Sequence, residues 1–205
     1  MKFFKDIFQS LYPYAIFRTG KGVYLTFDDG PIPEVTPKVL DILAKYNVPA
    51  TFFMVGENID KHPDVFHQVI DAGHAFGNHT YNHLKGWRTT GVDYARNIEK
   101  WDEAVERQGV EIPLLFRPPY GKADILQRWH LIDIGYRIYY WDILTRDYDA
   151  SVTPEQMLDQ IKRETRPGSI INFHDSLKSN ERMLAVLPQA IEWLQAQGYE
   201  LRKLT

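Results

Sequence analysis

Thr26-Phe27-Asp28-Asp29-Gly30-Pro31 follows a short apolar run, Val23-Tyr24-Leu25, and sets two adjacent carboxylates against a Gly-Pro stop. The run reads as a buried strand and the Gly-Pro pair as its end. Successive side chains on a strand point to opposite faces, so Asp28 and Asp29 share one surface only where the strand is ending. Two acids at such an end meet two surroundings and suit two different roles. The plainer reading is a turn, because Asp-Gly-Pro clusters mark turns with or without chemistry.

The rest of the chain alternates in the same manner. Thr36-Pro37 offers an N-cap with proline at the first helical position, and Val39, Leu40, Ile42 and Leu43 supply a buried stripe. Residues 50–55 form a continuous apolar run between Pro49 and Gly56, which suits a strand covered on both faces. A short helix around Val65, Val69 and Ile70 closes at Gly73, and residues 74–78 read as the next strand, with His74 in its packing. Tyr94, Ala95, Ile98, Trp101 and Val105 mark an amphipathic helix, residues 114–117 a strand, 125–132 a helix and 137–141 a strand. Thr153-Pro154-Glu155-Gln156 is a capping box that opens a further helix, and residues 169–174 are another apolar strand. Leu184, Leu187, Ile191 and Leu194 line a last helix that Pro188 is expected to kink or restart, before a final strand over 199–204. About seven strands alternating with helices predict an α/β protein with a mainly parallel sheet, closed as a barrel or open.

Composition bounds the function. A chain of 205 residues, 44% apolar and 25% charged, holds one sizeable core and needs no second domain. A net charge of -3 gives no basic footprint for nucleic acid. With no cysteine there are no disulfides and no thiolate ligands, so a metal site here uses His, Asp or Glu. The start, MKFFKDIFQSLYPYAIFRTGKG, is basic and apolar, but Asp6, Gln9 and Ser10 interrupt it, no small-residue cleavage pattern follows, and it falls short of a membrane span. It is expected to be a mature amino terminus. Phe3/Phe4, Ile7/Phe8 and Leu11 recur at helical spacing, so residues 1–20 are read as a segment whose helix packs on one end of the core.

Polar clusters fall where strands hand over to loops: Asp28-Asp29, His79 and His83, Arg117 with Tyr120, Asp142 and Asp147, and His174-Asp175. In a parallel barrel those strand ends share one face, where active sites are built. His79-Thr80-Tyr81-Asn82-His83 spaces two imidazoles one helical turn apart. One Asp of the opening stretch would complete a His-His-Asp set with an open position for water, the pattern of catalytic zinc, and leave the other to act as base. Phe116-Arg117-Pro118-Pro119-Tyr120-Gly121 is a proline-stiffened loop that aims a guanidinium and a backbone N–H.

TFDDGP, HTYNH, FRPPYG, YYWDILTRDY and IINFHDS, in this order and spacing, resemble the polysaccharide deacetylase family, also called the NodB-homology domain or carbohydrate esterase family 4. The likeness covers residues 21–205. It implies a distorted (β/α) barrel and metal-dependent hydrolysis of an N-acetyl or O-acetyl group on a carbohydrate. On the matching positions it implies Asp29, His79 and His83 as ligands of a divalent metal, foremost Zn2+ with Co2+ or Ni2+ as substitutes, and Asp28 as general base. Arg117 would orient Asp28, the Tyr120 N–H would hold the oxyanion, and His174, tuned by Asp147, would be the general acid. Tyr148, where the family often has Trp, and Asn172, where Leu is common, are expected to line the groove and bear on substrate preference. A deformylase or amidase on a small metabolite, and a catalytically silent glycan-binding barrel, are the alternative readings. No nucleic-acid partner and no integral membrane segment are expected.

Overall fold

The run before the Asp-Asp pair is an interior strand of the sheet. The computed structural model describes residues 12–205, and Tyr24–Asp28 forms β2, buried along its whole length. The other strands are β1 (Ala15–Ile16), β3 (Thr51–Met54), β4 (Ala75–Asn78), β5 (Leu115–Phe116), β6 (Arg137–Tyr139), β7 (Ile143–Leu144) and β8 (Ile170–His174). Their order is β1-β6-β5-β4-β3-β2-β8-β7 and every pairing is parallel. Parallel neighbours need crossovers. These are supplied by α1 (Thr36–Lys45), α2 (Gly56–Lys61), α3 (Pro63–Asp71), α4 (Gly91–Glu106), α5 (Ile125–Asp133), α6 (Pro154–Glu164) and α7 (Asn180–Ala196).

The sheet curls into an incomplete (β/α) barrel. Arg117, just past β5, bonds Thr26 on β2 and Asn172 on β8, strands three and four places away in the order, and only a curled sheet brings them within reach. No ladder joins the edges β1 and β7 among the described residues.

Strand periodicity sorts β2 into two layers. Leu25 and Phe27 face outward into the main apolar core, where Phe27 stacks on Phe52 and Phe173 beneath Val39, Ile161, Leu187 and Ile191 of the helices. Burying each such side chain stabilises the fold by roughly 1.5–3 kcal/mol. Tyr24, Thr26 and Asp28 face the barrel interior, opposite Ile170, Asn172 and His174 of β8. The interior is therefore layered: Tyr24 with Phe53, Leu115, Tyr139 and Ile170 as an apolar floor, Thr26 and Asn172 as a polar middle, and Asp28 and His174 at the mouth.

Several local expectations are corrected. Thr36 is the first residue of α1 and not its cap; its hydroxyl is engaged by Asp175 and by the Ile32 N–H. Pro188 leaves α7 continuous, because the helix buries Met183, Val186, Leu187, Ala190, Ile191 and Leu194 on both sides of it. Residues 199–204 make only an isolated bridge, Leu201 to Val23, just before β2, whose later residues Thr26–Asp28 are paired with β3. Asp142 is not at the mouth: it enters β7 at the opposite end, where it accepts a hydrogen bond from Ser169 Oγ (2.8 Å) and pairs with Arg166. Of the segment read as residues 1–20, residues 1–11 lie outside the described residues, and the described remainder is not helical: Ala15–Ile16 is β1, drawn into the sheet by its pairing with β6. No helix among the described residues is long and apolar enough to cross a membrane.

Candidate active site

At the end of β2 the two carboxylates separate through the backbone. Asp29 has φ +86°, a left-handed conformation that is costly for a residue with a Cβ, and this turns its side chain away from the strand alternation. The turn is held by Asn58, whose Nδ2 donates to the Asp29 carbonyl (2.8 Å), and by Asp175, whose Oδ1 accepts from the Gly30 N–H (3.0 Å) and whose Oδ2 is hydrogen-bonded to Thr36 Oγ1 (2.6 Å). A Cβ on Gly30 would lie 2.1 Å from Asp175 Oδ2, so only glycine fits. Burial pushes the Asp175 carboxyl up to about 8.

His79 follows β4 directly. Its Nδ1 lies 2.7 Å from the Arg117 carbonyl, which can only accept, so Nδ1 carries the proton and Nε2 presents a bare lone pair. Burial lowers its pKa to about 4, against the nearby Asp28 charge, and keeps the ring neutral as a metal ligand must be. The spacing to His83 is not a helical turn. Thr80 and His83 are left-handed (φ +62° and +53°), and side chains claim the loop's N–H groups: Asn78 takes that of Thr80, Asn97 those of Tyr81 and Asn82, and Thr80 that of Leu84. The loop still brings the two rings within 5.0 Å of one another, and His79 Nε2 and His83 Nε2 lie 3.7 and 3.3 Å from Asp29 Oδ1. The donor atoms of Asp29, His79 and His83 all fall within 4.8 Å of one another, so the residues present fit a divalent cation with open positions for water or substrate.

Asp28 is buried beside this cluster. Arg117 Nη1 donates to its Oδ1 (2.7 Å), to Thr26 Oγ1 (2.8 Å) and to Asn172 Oδ1 (2.6 Å), while Nη2 donates to the Tyr140 carbonyl (2.9 Å). The guanidinium also lies 4.1 Å above the Phe53 ring. A buried ion pair persists only when its remaining polar atoms are satisfied, and these are. Burial alone would raise the Asp28 carboxyl; the Arg117 charge, with His79 and His174, outweighs it and holds Asp28 below the usual carboxylate range. On the neighbouring strand β8, beside Asp28, His174 is gripped twice by Asp147, which accepts from the His174 backbone N–H and from Nδ1–H, both at 2.7 Å. Burial pulls the imidazole down, but the hydrogen bond to Asp147 and its charge prevail and hold it up at about 9.

These groups face a cavity of about 440 Å³ whose apolar walls include Tyr120, Trp141, Leu144 and Tyr148. Tyr120 is itself left-handed (φ +59°), and its ring lies 4.6 Å from His83. Gly121 cannot carry a Cβ, which would come within 2.5 Å of Trp141. Tyr148 meets His174 edge-on at 5.0 Å, as expected of a groove residue. Asn172 is a correction: it is fully buried under Asp28 and does not line the groove. Its place on the catalytic face was nonetheless written in the strand period, two residues before His174.

A curled parallel barrel with ionisable groups and a converging His-His-Asp set at its strand ends defines a hydrolase of the metal-assisted kind. The polysaccharide deacetylase model matches residues 17–139, and the chain belongs to that family. It is 34% identical over 188 residues to a peptidoglycan-N-acetylglucosamine deacetylase of Bacillus cereus, covering 87% of this chain and 84% of that one. It is 32% identical over 197 residues to a chitooligosaccharide deacetylase of Rhizobium leguminosarum bv. trifolii, covering 90% of each. Among solved structures, the Bc1960 peptidoglycan N-acetylglucosamine deacetylase superposes with a TM-score of 0.90 at 32% identity, over 96% of this chain and 93% of that one. A carbohydrate esterase family 4 pseudoenzyme from Bacillus anthracis has the same fold, with a TM-score of 0.84 at 25% identity over 96% of this chain and 69% of that one.

Proposed function

We propose that this protein is a metal-dependent deacetylase that hydrolyses the N-acetyl group of an N-acetylglucosamine-containing glycan. The observation that carries the reading is the single cavity faced by an ionised, arginine-held Asp28, the Asp29–His79–His83 ligand set, and a His174 kept protonated by Asp147. Asp29, His79 and His83 would hold a divalent cation, foremost Zn2+, which when bound would supply Lewis-acid polarisation of the acetyl carbonyl and acidification of water.

The side chains complete the chemistry. Asp28, ionised and fixed by Arg117, takes a proton from the attacking water. The Tyr120 N–H, presented by its left-handed turn, faces the oxyanion of the tetrahedral intermediate. An amine does not depart as an anion, so His174, beside Asp28 on the neighbouring strand, gives it a proton, and the Asp147 clamp keeps the ring charged and oriented. The apolar walls receive the acetyl methyl and exclude bulk water. The unit of residues 21–205 is extended by β1, which adds an edge strand to the same sheet through its pairing with β6.

Purified protein loaded with Zn2+ is expected to release acetate from N-acetylglucosamine oligomers or peptidoglycan. No acetate from these or from acetylated xylan would overturn the assignment, and formate from an N-formyl substrate would make it a deformylase. The acid role also has a pH signature. Turnover that needs protonated His174 is present below its pKa and is lost as pH rises through about 9. In Asp147→Asn the supporting charge is gone, and the alkaline limb of kcat/KM moves down toward about pH 6.5 or lower. An alkaline limb at the same pH in both proteins would remove His174 from the acid role.

A further inference from the structure

We propose that Asn172 is a positioning residue for the reaction, locking the second oxygen of the Asp28 carboxylate so that the base meets its water in one orientation. This rests on Asp28 being the base. Arg117 engages only Oδ1 of Asp28; Oδ2 receives Asn172 Nδ2–H at 3.0 Å. The amide has one chemically sensible orientation, because its Oδ1 accepts from Arg117 Nη1 at 2.6 Å and the flipped form would set an N–H against the guanidinium. Asn172 thus closes a ring of hydrogen bonds from guanidinium to amide to carboxylate and back, with Thr26 Oγ1 as a further acceptor of Arg117. With Oδ1 alone held, the carboxylate pivots about that contact; with both oxygens held, its plane is fixed.

The fold places Asn172 for this task. It is the register partner of Thr26 as His174 is the partner of Asp28, so one strand face presents the amide beneath the base and the acid beside it. Asn172 has no exposed surface and touches no part of the cavity, which separates its effect from substrate binding. It also stands off the metal cluster, whose ligands are Asp29, His79 and His83.

The test compares Asn172→Leu and Asn172→Ala with the unaltered enzyme, each loaded with Zn2+, on N-acetylglucosamine oligomers. Loss of this support is expected to lower kcat about 10- to 100-fold, with KM and Zn2+ affinity within about twofold of the parent. A general structural defect would instead spread into KM, metal affinity and thermal unfolding. The alanine variant adds no bulk and decides the matter if leucine disturbs folding. A parental kcat in either folded variant, or a loss confined to KM or metal affinity, overturns the proposal. Asp28→Asn is measured beside them: if it keeps full turnover the base assignment itself fails, whereas an inactive Asp28→Asn beside a fully active Asn172→Leu refutes the positioning role alone.

Discussion

Asp28→Asn is expected to lower kcat by about 10³-fold while the protein still binds its metal, since an amide accepts hydrogen bonds but cannot take the proton that a general base removes. The metal retention is expected from the geometry: the proposed ligand set uses Asp29 and the two histidines, and Asp28 is turned toward Arg117 and Asn172. A second effect accompanies the first. Arg117 is fully buried and Asp28 is its only carboxylate partner among the described residues, so the substitution leaves a buried cation uncompensated and costs about 3 kcal/mol of stability. Assays well below the melting temperature, with metal content measured on the same sample, separate the two. Turnover near that of the parent would exclude Asp28 as the base, and a metal-free variant would mean that the two aspartates had been assigned the wrong way round.

The other large effect is expected of His79→Ala. It removes a neutral nitrogen of the proposed ligand set, whose tautomer is fixed by the Arg117 carbonyl, and Zn2+ affinity should fall by more than about 100-fold, beyond the loss typical of merely outer-shell changes. Acetate release disappears with the metal. The fold persists, because His79 sits past the end of β4 and outside the apolar clusters, and the orphaned Arg117 carbonyl costs only about 1 kcal/mol. Chelator competition measures the affinity and circular dichroism the fold. Stoichiometric tight metal in His79→Ala would show that the ligand set is wrong.

Much of this was legible in the residues. The strand before Asp28 and the run at residues 51–54 announce themselves because buried parallel strands are apolar on both faces. The capping box at Thr153 is local chemistry and closes as read, with both hydrogen bonds present. What escaped is long-range. The periodicity of the two histidines resembles a helix, but side chains up to sixteen residues away, such as Asn97, capture the backbone and build a loop instead. β1 and β7 are two-residue strands with too little pattern to notice, held by neighbours distant in sequence. Asp142 and Asp147 lie close together in the chain, yet the four residues of β7 and its turn between them carry them to opposite ends of the barrel. Asn172 could be placed by strand period on the catalytic face but not at its depth, because depth depends on Arg117 reaching across the curl.

The Asp175 clasp gives the site an outward connection. One carboxyl touches both the backbone of the Asp29 turn and the first residue of α1, so the turn is tied to the outer helical layer. The turn that carries Asp29 is thereby anchored from behind, by a contact that no substrate in the cavity would meet.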